Sequence, residues 1–141
     1  MLNKVIMAKQ ISITVINKIG VLDTMARYLA ERGINIEAIA GYEIPGSDHA
    51  RIMLVVDDTR RTIEALIVRD FGSIEEEDVL VLELDNKPGA LKTITSLLTY
   101  KAINIKYIYT TTSHDTWYVK VILSTSDNTK AFVTLRESVA N

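Results

Sequence analysis

The sequence predicts an α+β protein made of two tandem copies of one module, each an antiparallel sheet with helices on one face. Three observations predict it. The stretch Asn17-Lys18-Ile19-Gly20-Val21-Leu22 recurs 69 residues on as Asn86-Lys87-Pro88-Gly89-Ala90-Leu91. The same offset carries Ile34-Asn35-Ile36 onto Ile103-Asn104-Ile105. It also carries Leu29, Ile39, Leu54 and Leu66 onto Leu98, Ile108, Leu123 and Leu135, without a gap. Between these landmarks the apolar residues alternate with period two and then recur at helical spacing, in the same order in both halves.

The elements come in order. Ile11, Ile13 and Val15 alternate with Ser12 and Thr14, a half-buried strand, and Leu80, Leu82 and Leu84 repeat its phase. Residues before Gln10 can extend the first strand or form a leader ahead of Met7. The Asn-Lys-x-Gly loop comes next, then a helix through Val21, Leu22, Met25, Ala26 and Leu29. Gly33 stands where a helix C-terminal glycine belongs. Its counterpart is Ala102, so the second helix is expected to end less sharply. Ile34 to Ile44 reads as a strand, Pro45-Gly46-Ser47-Asp48 as a turn, and Ala50, Ile52, Leu54 and Val56 as the returning strand. In the copy, Tyr107 to Thr112 leads through Ser113-His114-Asp115 to Val119, Val121 and Leu123. Asp58-Thr59 and Asn128-Thr129 are the expected caps of a second helix in each half. Phe71 to Asp78 is expected to hold a short fourth strand and the link to the second half. The offset places the equivalent of Phe71 at Ala140, so the second half has no room for its own fourth strand.

Each unit thus reads β-α-β-β-α-β, ferredoxin-like in connectivity, the second truncated. The expected boundaries are 1–78 and 79–141. Modules of roughly 70 residues bury a modest share of their surface, so they are expected to lean on each other or on a second chain.

Composition excludes several classes. At 48% hydrophobic and 24% charged the chain is ordinary for a globular protein. No apolar run is long enough for a membrane helix. Met1 to Met7 is too short and too polar for a signal peptide, and a cytoplasmic location is expected. There is no Cys, hence no disulfide, thiol nucleophile or thiolate metal site. A net charge of −2 gives no electrostatic footprint for nucleic acid.

The alternating strand, then Asn-x-x-Gly-x-Leu opening a helix, then Gly-Ile-Asn-Ile entering a strand, resembles the ACT domain. Asn86-Lys87-Pro88-Gly89-Ala90-Leu91 is close to that family's wording, and the first copy departs by Ile19 where Pro is common. The resemblance covers roughly residues 10 to 139, and the layout looks like the small stand-alone double-ACT proteins. It implies a non-catalytic regulatory module that binds an amino acid at an interface between two such domains, with no cofactor and no metal. The site residues it implies are Asn17, Ile19, Gly20, Val21, Leu22, Asn35 and Ile36, with Asn86, Pro88, Gly89, Ala90, Leu91, Asn104 and Ile105 in the second half.

Loop chemistry agrees. A glycine permits close approach, and the first N–H groups of a helix lack internal partners, so the helix start suits the carboxylate that every free amino acid carries. Asn17 and Asn86 either accept from the ligand's ammonium or fix the turn. The simpler reading is that such a glycine makes a turn and such an Asn caps it.

Other features point less far. The offset takes His49 to position 118, not to His114, so the histidines are not a repeated feature. Glu75-Glu76-Glu77-Asp78 is expected as a solvated linker rather than a cation site. Asp57-Asp58 suits a cap better than a catalytic pair, and no Ser/His/Asp set, phosphate loop or metal-ligand spacing occurs. Tyr107, Tyr109, Trp117 and Tyr118 raise RNA stacking as a rival from another class. No basic stripe accompanies them, and packing or a dimer interface suits them better.

Three functions remain open: an amino-acid-binding regulatory protein, a regulatory subunit of a metabolic enzyme such as acetolactate synthase, and a purely structural dimerisation module. A fourth strand must cover the edge at Leu80 to Asp85. The candidates are Ser73 to Glu77, the Val5-Ile6-Met7 leader, or a second chain, and a homodimer is the expected cover.

Overall fold

The computed structural model describes residues 1–111 and 116–140; the expected turn at Ser113-His114-Asp115 lies outside them. The elements are β1 (Leu2–Ile16), α1 (Val21–Glu31), β2 (Ile36–Glu43), β3 (His49–Val56), α2 (Thr59–Val68), β4 (Gly72–Asp85), α3 (Ala90–Tyr100), β5 (Ile105–Thr111), β6 (Tyr118–Thr125) and α4 (Asn128–Arg136). Strands and helices alternate as the repeat requires, and the class is α+β.

The chain divides into two compact units, Lys9–Glu77, and Met1–Ala8 together with Asp78–Asn141. The first eight residues therefore go with the second half, where the boundaries 1–78 and 79–141 had put them with the first. The two longest strands cause this. β1 and β4 each run through both units, and neither breaks where a linker was expected.

In unit Lys9–Glu77 the strand order is β2-β3-β1-β4, with β3 antiparallel to both β1 and β2. Ile11, Ile13 and Val15 of β1 and Ile52, Leu54 and Val56 of β3 alternate toward one face. There they are buried with Met25 and Leu29 of α1 and Ala65 and Leu66 of α2. Gly72 opens β4 because nothing larger fits. A Cβ there would lie 1.9 Å from the Thr14 carbonyl oxygen. The acidic run 75–78 is strand, not linker. Glu75 and Glu77, two residues apart and so on one face, both accept from Arg51 (3.2 and 2.8 Å), which also donates to Thr14 (3.3 Å).

In the other unit the order is β1-β4-β6-β5. Leu80, Leu82 and Leu84 pack with Ile94, Leu98, Val121, Leu123 and Leu135, and the cluster closes on Leu2 and Val5 of β1. The missing fourth strand is thus supplied by the chain's own start. The Asp85 N–H donates to the Met1 carbonyl (3.0 Å), the Asn3 amide to the Asp85 carboxylate (2.9 Å), and the Ala140 N–H to the Leu2 carbonyl (3.0 Å). Of the three candidate covers, the leader takes the edge, not the second chain that was expected.

Two local expectations need correction. The cap of α4 is Asp127, which accepts from the Lys130 N–H (3.0 Å). Asn128 instead accepts from the Thr125 N–H and hydroxyl (2.9 and 2.8 Å). Asp58 caps α2 as expected, accepting from Arg61 (3.1 Å). The end of α3 is as sharp as that of α1. Ala102 takes the left-handed conformation (φ 56°) that Gly33 takes (φ 69°), and the hydrogen bonds match. Gly33 donates to Ala30 and Ile34 to Leu29, as Ala102 does to Thr99 and Ile103 to Leu98.

Candidate functional site

The two glycine loops have one geometry. Gly20 and Gly89 precede α1 and α3 at φ 88° and 89°, the left-handed region that favours glycine. Neither helix start has a side-chain cap. The Val21 N–H turns back to Lys18 (3.2 Å) and the Ala90 N–H to Lys87 (3.3 Å). The next amides, of Leu22 and Asp23 and of Leu91 and Lys92, fall in the first turn, where a helix has no acceptor for them. The space above both glycines is open: a Cβ on either would meet nothing within 4 Å.

The asparagines set the loops in place. The Asn17 N–H donates to Asp48 (2.8 Å), and Asn86, 69 residues on, donates to Trp117 (2.9 Å). Their side-chain amides donate to Glu43 (3.1 Å) and to the Thr116 carbonyl (3.2 Å). Of the two roles open to them, these bonds are the turn-fixing one. Glu43 is a part of the site that sequence reasoning missed, because its 26-residue separation from Asn17 carries no local pattern.

Around this frame the loops differ. Ile19 is fully exposed and Leu22 and Leu91 are half exposed, whereas Ala90 is buried. Pro88 occupies the place of Ile19. The first turn of α1 carries Asp23, paired with Arg27, and that of α3 carries Lys92 in its place. A cation adds to the positive helix start and an anion subtracts from it, so the 86–91 loop is the more attractive to a carboxylate. Asp85, at its base, is held below the usual carboxylate range by the Asn3 amide, helped by the chain's amino group and Lys87 against partial burial.

Asn35, Ile36, Asn104 and Ile105 do not join these loops within a unit. Ile16, beside the first loop, pairs with His49, whereas Ile36 pairs with Val56 at the other end of β3. Seven strand residues separate those ends by roughly 24 Å. The same holds between Asp85, which pairs with Tyr118, and Ile105, which pairs with Thr125. The main chain of both asparagines is also engaged. Asn35 N–H donates to the Asp57 carboxylate (3.0 Å) and Asn104 N–H to the Ser126 hydroxyl (3.0 Å). Both N–H groups thus already have acceptors.

Other candidates carry less. No cluster of His, Asp and Glu suited to a metal occurs among the described residues. His49 pairs with Asp48 at the surface (2.8 Å). Burial first, then Tyr107, pushes the Tyr109 phenol far above its ordinary range. An open depression of about 440 Å³ lies by α4, lined by Lys101, Asp127, Lys130 and Glu137 among others. The Lys130 ammonium already donates to the Lys101 carbonyl there (3.0 Å), and the depression does not include the glycine loops. No described helix is long and apolar enough to cross a membrane.

A strand–glycine loop–helix unit of this connectivity, used twice, gives a ferredoxin-like βαββαβ fold in each half. Residues 11–69 match the family model described as the AHAS small subunit-like ACT domain. No curated protein matches the chain. Among solved structures it is similar to protein BT0572 from Bacteroides thetaiotaomicron (28% identity, TM-score 0.86, 95% of this chain and 90% of that one). It also shares its fold with the regulatory subunit of aspartate kinase from Thermus thermophilus (19%, TM-score 0.70, 96% and 97%). The same is true of the corresponding subunit from Thermus flavus (18%, TM-score 0.62, 96% and 97%).

Proposed function

We propose that the protein is a non-catalytic regulator that binds a free amino acid at its glycine loops, at an interface between ACT modules of a homodimer. The observation that carries this reading is the paired loop geometry: an uncapped helix start, open space above a left-handed glycine, and an asparagine-fixed frame, twice at the same offset. The ligand's carboxylate accepts from the first-turn amides. Each loop is open, and the Asn35 and Asn104 regions lie at the far end of their own sheets, so a closed pocket needs a wall from another module. Binding that favours one packing of modules over another is the signal a metabolic enzyme partner reads.

The 86–91 loop is the tighter of the two, because Lys92 stands where α1 has Asp23. The test is a thermal-shift screen with the twenty amino acids. A true ligand at a hundred times its Kd adds about 2.7 kcal/mol of stability. Trp117, the single tryptophan, accepts from Asn86, so its fluorescence reports on the second loop. A screen without a shift and without a change in fluorescence would leave the dimerisation module as the better reading. The match of residues 11–69 to an AHAS small subunit-like model favours a second reading, a subunit of acetolactate synthase, which co-purification tests.

A further inference from the structure

Unit Lys9–Glu77 gathers two arginines on one aromatic ring. Arg32 stands at the C-cap of α1 and Arg69 at the C-cap of α2. The Arg32 guanidinium carbon lies 3.3 Å from the centre of the Tyr28 ring, and that of Arg69 lies 4.9 Å from it. The two carbons are therefore no more than 8.2 Å apart, the sum of those distances. Phe71 backs the same ring at 6.1 Å, and Arg32 is held further by donating to the Tyr28 carbonyl (3.0 Å). Both arginines are exposed. Neither has an ion pair among the described residues, although Glu31 and Asp70 are their neighbours in sequence. Tyr28 is only 8% exposed, and its hydroxyl has no hydrogen-bond partner among the described residues. That hydroxyl opens to solvent, because none of the shut-in polar side-chain atoms among the described residues lacks a partner.

A cation at a helix C-terminus is explained by the helix dipole alone. Two cations on one ring are not, since like charges repel. Nor does the fold require them. The offset takes Arg32 to Lys101, Tyr28 to Leu97 and Arg69 to Ser138, so the second half builds the same helices with one cation and no ring. We propose that Arg32, Arg69 and the Tyr28 hydroxyl form a binding site for a phosphate group, free or carried on a small molecule. Two guanidinium groups match its charge, and its oxygens accept from both forks and from the hydroxyl together. A carboxylate, with one charge and two oxygens, matches them less well. Stacking fixes the arginines beforehand, so they lose less freedom on binding. The site lies at the far end of α1 from Gly20, about 16 Å away along a helix of 11 residues, and is distinct from the glycine loop.

The test needs no amino acid. The full chain, labelled with nitrogen-15, is titrated with inorganic phosphate while sodium chloride holds the ionic strength constant, and its amide and arginine side-chain signals are followed by NMR. Saturable shifts are expected at Tyr28, Arg32, Arg69 and Phe71. Arg69→Gln should raise the Kd about tenfold, the scale of a charge-assisted hydrogen bond, and Tyr28→Phe, which keeps the ring, about fivefold, the scale of a neutral one. Glycerol phosphate in a parallel titration separates the two sources. Tighter binding of the ester assigns the site to phosphorylated small molecules, and tighter binding of phosphate assigns it to the free ion. Shifts that never saturate, or that acetate reproduces, would be screening of surface charge and would overturn the proposal. Phosphate binding unchanged in both variants would overturn it as well. So would an oligo-glutamate peptide that displaces phosphate and binds more tightly, because the face would then serve an acidic protein.

Discussion

The two units solve the same packing problem with different pieces of chain. Unit Lys9–Glu77 takes its fourth strand from the segment after its second helix, the start of β4. In the other unit that slot is filled by residues 1–8. Their cores are equivalent: Ile11, Ile13 and Val15 in one, Leu80, Leu82 and Leu84 in the other, each under two helices. What the module requires is a strand with apolar residues on one face in the slot beside its first strand. Leu2 and Val5 meet that requirement as Ile74 does in the other unit. Sequence position is secondary.

The largest way to break this equivalence is to remove the borrowed strand. Deleting residues 1–6 exposes the surface that Leu2 and Val5 cover and is expected to cost about 3–6 kcal/mol, at roughly 1.5–3 kcal/mol per buried side chain. Hydrogen exchange should show the loss at residues 79–85 and 118–125, with β2 and β3 little changed. An unchanged exchange pattern would mean that the leader is dispensable. The complementary break is Gly72→Ala. The new Cβ collides with the Thr14 carbonyl, and a cost of about 3 kcal/mol is expected, as for overpacking at a rigid site. Its loss of protection should centre on unit Lys9–Glu77.

A smaller change sharpens the comparison at the helix ends. Ala102 holds a left-handed conformation without glycine's freedom. Ala102→Gly should therefore stabilise by about 1 kcal/mol and Gly33→Ala destabilise by a similar amount. Denaturant melts of the two variants check both signs.

Much of this was legible in the sequence. Strand alternation and helical spacing located every element, since side chains facing a core must follow the period of their backbone. The cap of α4 was also within reach, because the offset from Asp58 lands on Asp127. Asn128-Thr129 drew attention because those residue types are also good caps. The acidic run 75–78 misled because local composition cannot register Arg51, 24 residues from Glu75. The site was legible in part. Gly20 and Gly89 have the conformation and open space their loops implied. Glu43 under Asn17, and the distance between Asn17 and Asn35, depend on tertiary register and left no local trace.

The central claim is that the glycine loops hold an amino acid, and calorimetric titration of three folded proteins tests it most directly. They are the unaltered chain, Gly20→Val and Gly89→Val, each titrated with the amino acid that the thermal screen selects. Gly20→Asn and Gly89→Asn serve beside them, because Asn tolerates a left-handed backbone while still filling the space. The account predicts that each substitution abolishes binding at its own loop, and that the larger loss of affinity comes from position 89. Undiminished binding by all the folded variants would contradict it and place the ligand elsewhere.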